Sequence, residues 1–167
     1  ALIAMHNQRG RAPGNVTTLV REGLKTSLML AEQHGIAPEN VILDPGFGFG
    51  WTPQENLAML ATLEELTTLG HPLLVGTSRK STIGEILGGV SPEERLMGTA
   101  ATVALSIAKG ADIVRVHDVA HMVQVARVTD AIIAAGPDSS RSTEVVIALG
   151  SNLGDRLANL RAAIKRL

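Results

Sequence analysis

VILDPGFGFGWTPQE, residues 41–55, carries a strand, a turn and the start of a helix in one short stretch. Val41, Ile42 and Leu43 run into Asp44 and Pro45, and an apolar run this short, bounded by Pro and Gly, reads as a strand. Thr52 stands as an N-cap, Pro53 takes the first helical position and Glu55 completes a capping box, so a helix begins there. Between the two, Gly46, Gly48 and Gly50 alternate with Phe47, Phe49 and Trp51, which are all the Phe, Trp and Tyr residues of the chain. A chain that builds the rest of its core from aliphatics and gathers its rings in one flexible loop is expected to line a pocket with them.

The same strand-then-helix alternation repeats outward from this unit. Upstream, residues 1–5 form an apolar run that reads as a strand, and Val16, Val20, Leu24, Leu28 and Ala31 follow at helical spacing until Gly35. Downstream, residues 73–76 read as a strand, and a short helix opens near Lys80 after the turn at Thr77 and Ser78. Ser91, Pro92 and Glu94 repeat the capping signature and open a helix reaching about Lys109. Residues 112–116 supply a fourth strand and residues 119–135 its helix. Consecutive βα units of this kind predict an α/β fold on a parallel sheet.

Past residue 135 the character changes. Residues 136–143, GPDSSRST, are polar without apolar periodicity, as a linker between domains should be. Residues 144–149 read as a new strand, leading through Gly150, Ser151 and Asn152 into an amphipathic helix up to Leu167. A second domain is expected to begin at residue 144. Because the chain opens on Ala1 inside an apolar run, it reads as a piece of a longer protein.

Composition narrows the class. The 167 residues are 45% hydrophobic, enough for a real core, and the net charge of -1 gives no basic field to draw nucleic acid or acidic membranes. Small molecules are the expected partners. The absence of cysteine excludes disulfides and thiolate metal sites and suits a cytoplasmic protein. Neither a signal peptide nor an apolar run long enough to cross a bilayer is found.

In parallel α/β architectures ligands bind beyond the carboxyl ends of the strands. Those positions hold Met5, His6 and Asn7; Asp44; Ser78, Arg79, Lys80 and Ser81; and Arg115, His117 and Asp118. Asp44, at the base of a glycine-rich loop, suits a ligand presenting two adjacent N–H donors. Residues 78–81 lead into a helix start that favours an anion, with Lys80 as a movable charge. Arg115 and His117 alternate along the fourth strand, are expected to point the same way, and form a phosphate clamp. Blander readings stand beside these: Asp44 capping a turn, Arg79 and Lys80 as a solvated pair, Asp118 as the N-cap of the last helix. A dinucleotide site at the glycine run is disfavoured, since one residue and not two precedes its third glycine.

DPGFGFG (44–50), GTSRKS (76–81) and RVHD (115–118), in this order and spacing, resemble the second half of dihydropteroate synthase over residues 1–135. The resemblance implies the second half of a (β/α)8 TIM barrel, strands five to eight. It also implies condensation of p-aminobenzoate with 6-hydroxymethyl-7,8-dihydropterin diphosphate, releasing pyrophosphate. On the matching positions, Asp44 would accept from the pterin, Lys80 would reach its carbonyl, and Arg115 and His117 would hold the departing diphosphate. Ser81 would bind the aminobenzoate carboxylate with Phe49 near its ring, and Gly76, Ser78 and Arg79 join the substrate-contacting set. Mg2+ is implied with a protein ligand outside this chain, as are a homodimer and competition by sulfonamides. Trp51 departs from the family, which usually has Lys there, and casts doubt on a surface contact of the loop.

VIALGSNLGDR (146–156) resembles the start of 6-hydroxymethyl-7,8-dihydropterin pyrophosphokinase, which implies the first strand and helix of a ferredoxin-like α/β domain. Its catalytic residues would lie beyond Leu167. Two rivals to the synthase are a pterin-dependent methyltransferase barrel, which needs no diphosphate clamp, and a non-catalytic half-barrel scaffold.

Overall fold

The computed structural model describes residues 1–7, 10 and 14–136, together with the backbone of 146–148. Strand β1, Leu2–Met5, lies parallel to β2, Val41–Asp44, in a register running from Leu2 opposite Val41 to Met5 opposite Asp44. Leu43 bridges to Leu73, which brings in β3, Leu74–Val75, and β3 pairs with β4, Ile113–Arg115. All these pairings are parallel, as the alternating pattern predicts. β3 and β4 are shorter than expected. One reason is that the Asp112 carboxylate accepts from the Leu73 amide at 2.8 Å, giving that N–H a side-chain partner at the edge of the ladder.

The helices begin where local chemistry sets them. α1, Val16–Gln33, is capped by Asn15, whose side chain accepts from Thr18 N–H at 3.1 Å, a signal the sequence reading passed over. α2, Pro53–Ala61, carries the expected capping box: the Thr52 amide donates to Glu55 at 2.8 Å and Thr52 Oγ1 accepts from the Glu55 amide. α3 is the short Ser81–Ile86. The capping box at Ser91 and Glu94 forms too, but its first turn, Pro92–Arg95, is 3₁₀ before α4, Leu96–Ala108, takes over. The break coincides with Arg95, whose guanidinium folds back onto the Val90 and Arg79 carbonyls. α5 is Val119–Ala134.

Apolar faces of these helices close over the sheet. Val20 and Leu24 of α1 and Met59 of α2 join Leu43 of β2, and Leu63 after α2, in one cluster with almost no exposure. Val103 and Ile107 of α4 pack with Val114 of β4 and Met122 of α5 in a second. Each such side chain contributes roughly 1.5–3 kcal/mol on burial, which fixes the strands and therefore their carboxyl ends. Among the described residues, no helix is long and apolar enough to cross a membrane.

The strand expected at 144–149 appears as β5, Val146–Ala148. Its backbone pairs in parallel with β4, Val146 opposite Ile113 and Ala148 opposite Arg115, and so extends the same sheet. The linker from residue 137, the turn at 150–152 and the helix to Leu167 fall outside the described residues.

Candidate functional site

Asp44 ends β2 and is 2% exposed. Its Oδ1 accepts from the Gly46 amide at 2.8 Å, while Oδ2 is buried and accepts no hydrogen bond among the described residues. Burial raises the carboxyl above its ordinary pKa, against the opposing pull of the Gly46 N–H, Arg115 and Lys80. The turn that presents it needs glycine at 46, where φ is +76° and an added Cβ would collide with the His6 carbonyl oxygen. A buried acceptor left open costs about 1–3 kcal/mol, a cost that a ligand donor removes.

Two cations approach this oxygen from other strand ends. Arg115, the last residue of β4, brings Nη2 to 3.8 Å from Asp44 Oδ2. Gly76 leaves room for it, since a Cβ there would stand 3.1 Å from that same nitrogen. Lys80 precedes α3, and its stem crosses Gly48, where a Cβ would lie 2.9 Å from Cδ. Its ammonium sits 3.8 Å above the centre of the Phe49 ring. Burial and the neighbouring Arg115 lower the Lys80 pKa, while Asp44 raises it.

Arg79 and His117 both have partners within the protein. The Arg79 guanidinium forms a two-pronged pair with Asp118, at 2.9 Å from Nε and 2.6 Å from Nη2, so its charge is already engaged. Its backbone is left-handed, φ +57°, held by its amide on Thr99 Oγ1 and by Arg95 donating to its carbonyl. Asp118 does not cap α5 with its side chain; Arg79 holds it there instead and lowers its pKa. β4 ends at Arg115, and His117 follows two residues on, beyond the strand. His117 turns to Ser78, whose Oγ lies 3.1 Å from its amide and 3.0 Å from Nδ1. Ser78 is buried and ties the ends of β3 and β4 together, whereas Ser81 is exposed at the start of α3.

The rings of the glycine loop also divide. Phe47 and Trp51 belong to the core, 1% and 8% exposed, and Trp51 packs 5.9 Å from the His6 ring. Phe49 alone remains partly exposed beside Lys80. The expected aromatic-lined pocket therefore reduces to one ring, and Trp51 is a packing residue and not a surface contact. Among the described residues no three His, Cys, Asp or Glu side chains gather around a common point, and Asp44 is flanked by cations. This donor set does not fit Mg2+.

The strand ends of this parallel α/β sheet converge an open buried acceptor, a lysine over an aromatic ring and an arginine, an arrangement chemically able to receive a small ligand with N–H donors and anionic character. The chain belongs to the pterin binding enzyme family, whose model matches residues 1–117. It is 50% identical to a dihydropteroate synthase of Synechocystis sp. over 119 residues, 71% of this chain and 41% of that protein. Among solved structures, the dihydropteroate synthase of Xanthomonas albilineans in complex with 7,8-dihydropteroate aligns with a TM-score of 0.76 at 38% identity, covering 80% of this chain and 52% of that one. The same enzyme with 4-aminobenzoic acid aligns with a TM-score of 0.74 at 40% identity, over the same shares. The chain thus spans about half the length of the relatives it matches.

Proposed function

We propose that this chain forms the second half of a dihydropteroate synthase barrel, which condenses p-aminobenzoate with 6-hydroxymethyl-7,8-dihydropterin diphosphate. The observation that carries the reading is the open Oδ2 of Asp44, buried between Lys80 and Arg115. The pterin's 2-amino group and ring N–H donate to Asp44, and Lys80 reaches the ring carbonyl. Arg115 and His117 lie at the next strand end, where they hold the diphosphate and stabilise the charge it gains on departure. The C–O bond to that group breaks with its electron pair, leaving a carbocation conjugated with the dihydropterin ring. The arylamine nitrogen forms the new C–N bond and gives up a proton to solvent, so no protein nucleophile is required. Ser81 at the head of α3 faces the aminobenzoate carboxylate, Phe49 its ring, and sulfonamide analogues compete there. Gly76 and Ser78 serve this site by admitting Arg115 and fixing His117, and Arg79 serves it through Asp118.

Exposed Met97 and Leu105 on α4 and Val128 and Ile132 on α5 support a homodimer. Residues 144–167 are read as the beginning of a pyrophosphokinase fused to the synthase, in a cytoplasmic protein. Mg2+, where the diphosphate needs it, takes its protein ligand from outside these residues. The test is direct. A chain extended upstream by about half of the ~250-residue barrel should bind the pterin diphosphate and form dihydropteroate, and residues 1–167 alone should not. An extended chain that binds no pterin diphosphate would overturn the reading, and binding indifferent to the diphosphate would favour the methyltransferase.

A further inference from the structure

Asn56 lies on α2 one residue past the capping box and is 1% exposed. Its Oδ1 accepts from the Gly48 amide at 2.7 Å. Its Nδ2 donates to Thr82 Oγ1 at 2.9 Å and reaches the Trp51 carbonyl at 3.5 Å. Thr82 is itself buried, the second residue of α3 and two positions after Lys80. One planar amide therefore joins the middle of the glycine loop to the helix that follows Lys80. The chemistry suits this place: a neutral amide offers an acceptor and donors in one fixed plane, whereas a carboxylate would bury a charge and an aliphatic would strand the Gly48 N–H.

The two segments that Asn56 joins meet again at the ligand end. There the Lys80 stem covers Gly48 and its ammonium covers Phe49. We propose that Asn56 is a positioning residue for the synthase reaction, fixing the spacing between the loop that carries Phe49 and the lysine that closes over it. Buried as it is, it acts on substrate only through these neighbours. The inference rests on the synthase reading above.

The experiment compares Asn56→Ala in the active, upstream-extended chain with the same change on a Lys80→Ala background. In the parent, kcat/KM should fall by at least about tenfold, the scale on which small misplacements at a reacting centre are felt. On the Lys80→Ala background the further loss should be under about threefold, because residues acting through one another are not additive. A residue that merely supports the fold reduces both backgrounds by the same factor, and that result overturns the proposal. Thr82→Val removes one arm of the same clamp and should show the same dependence on Lys80 at smaller size. If Asn56→Ala does not fold, equal losses for Thr82→Val in both backgrounds overturn the proposal instead. A parent chain that forms no dihydropteroate fails earlier and separately, by sinking the synthase reading before any variant is compared.

Discussion

Arg115 Nη2 stands 3.8 Å from Asp44 Oδ2, near enough for attraction between charges and too far for a hydrogen bond. One partner is sealed in the protein and the other is half in water, with side chains 3% and 48% exposed. The pair therefore sets a field across the site without using up the acceptor. A ligand N–H can take Oδ2 while Arg115 remains free to meet an anionic group.

Asp44→Asn should weaken pterin binding by about tenfold to a hundredfold, because hydrogen bonds to a charged group are worth roughly 1.5–3 kcal/mol and an amide turns a donor toward the ligand's donors. Calorimetric titration with the pterin diphosphate measures it, and unchanged affinity would count against the assignment.

The same substitution has an opposite effect on the ligand-free protein. The native carboxyl is raised above its ordinary value near 3.8, chiefly by burial, so the folded state holds its proton more firmly than the unfolded one. Its contribution to stability is present at acid pH and is lost as pH rises from 3.8 through the native value. Asp44→Asn lacks this titration, so Tm of the parent relative to Asp44→Asn should decline across that window. Parallel Tm curves would refute it.

Gly46→Ala and Gly35→Ala share a left-handed backbone, φ +76° and +74°, yet differ in surroundings. The first Cβ meets the His6 carbonyl and the second meets nothing within 4 Å. Gly35→Ala should cost about 1–2 kcal/mol from conformation alone. Gly46→Ala should cost at least ~2 kcal/mol more, through the shift it forces on packed backbone. Denaturant midpoints compare them, and equal losses would deny the close approach.

Lys80→Ala and Arg115→Ala should each lower turnover of the complete enzyme by about 100-fold or more, the scale of one lost contact to developing charge. Steady-state rates near those of the parent for both would remove the proposed mechanism.

Ser81→Ala should raise KM for p-aminobenzoate, and the inhibition constant of a sulfonamide, more than it alters pterin affinity. Equal effects on both substrates would place Ser81 elsewhere.

What the sequence made legible was chiefly local. Thr52 and Glu55 lie three residues apart and declare their capping box in any context, and the strand at 41–44 forms with the expected bounds. Asp44, Lys80 and Arg115 converge because parallel strands put successive carboxyl ends on one rim. What was not legible involves distant partners. The pairing of Arg79 with Asp118 spans 39 positions, and Phe47 and Trp51 looked like pocket walls because only the packed core reveals that they face inward. Asn56 drew no notice for the same reason, its hydrogen-bonding partner Thr82 being 26 residues on.

β5 brings a kinetic consequence. A strand has two edges, and those of β4 are taken by β3 on one side and Val146–Ala148 on the other. Any further strand seeking the outer edge of β4 cannot simply add to it; three residue pairs must first come apart. Arrival there is an exchange, with an unpairing barrier that a bare edge would not impose. Assembly of the sheet on that side should therefore be slower than at the outer edge of β1, which has no strand partner among the described residues.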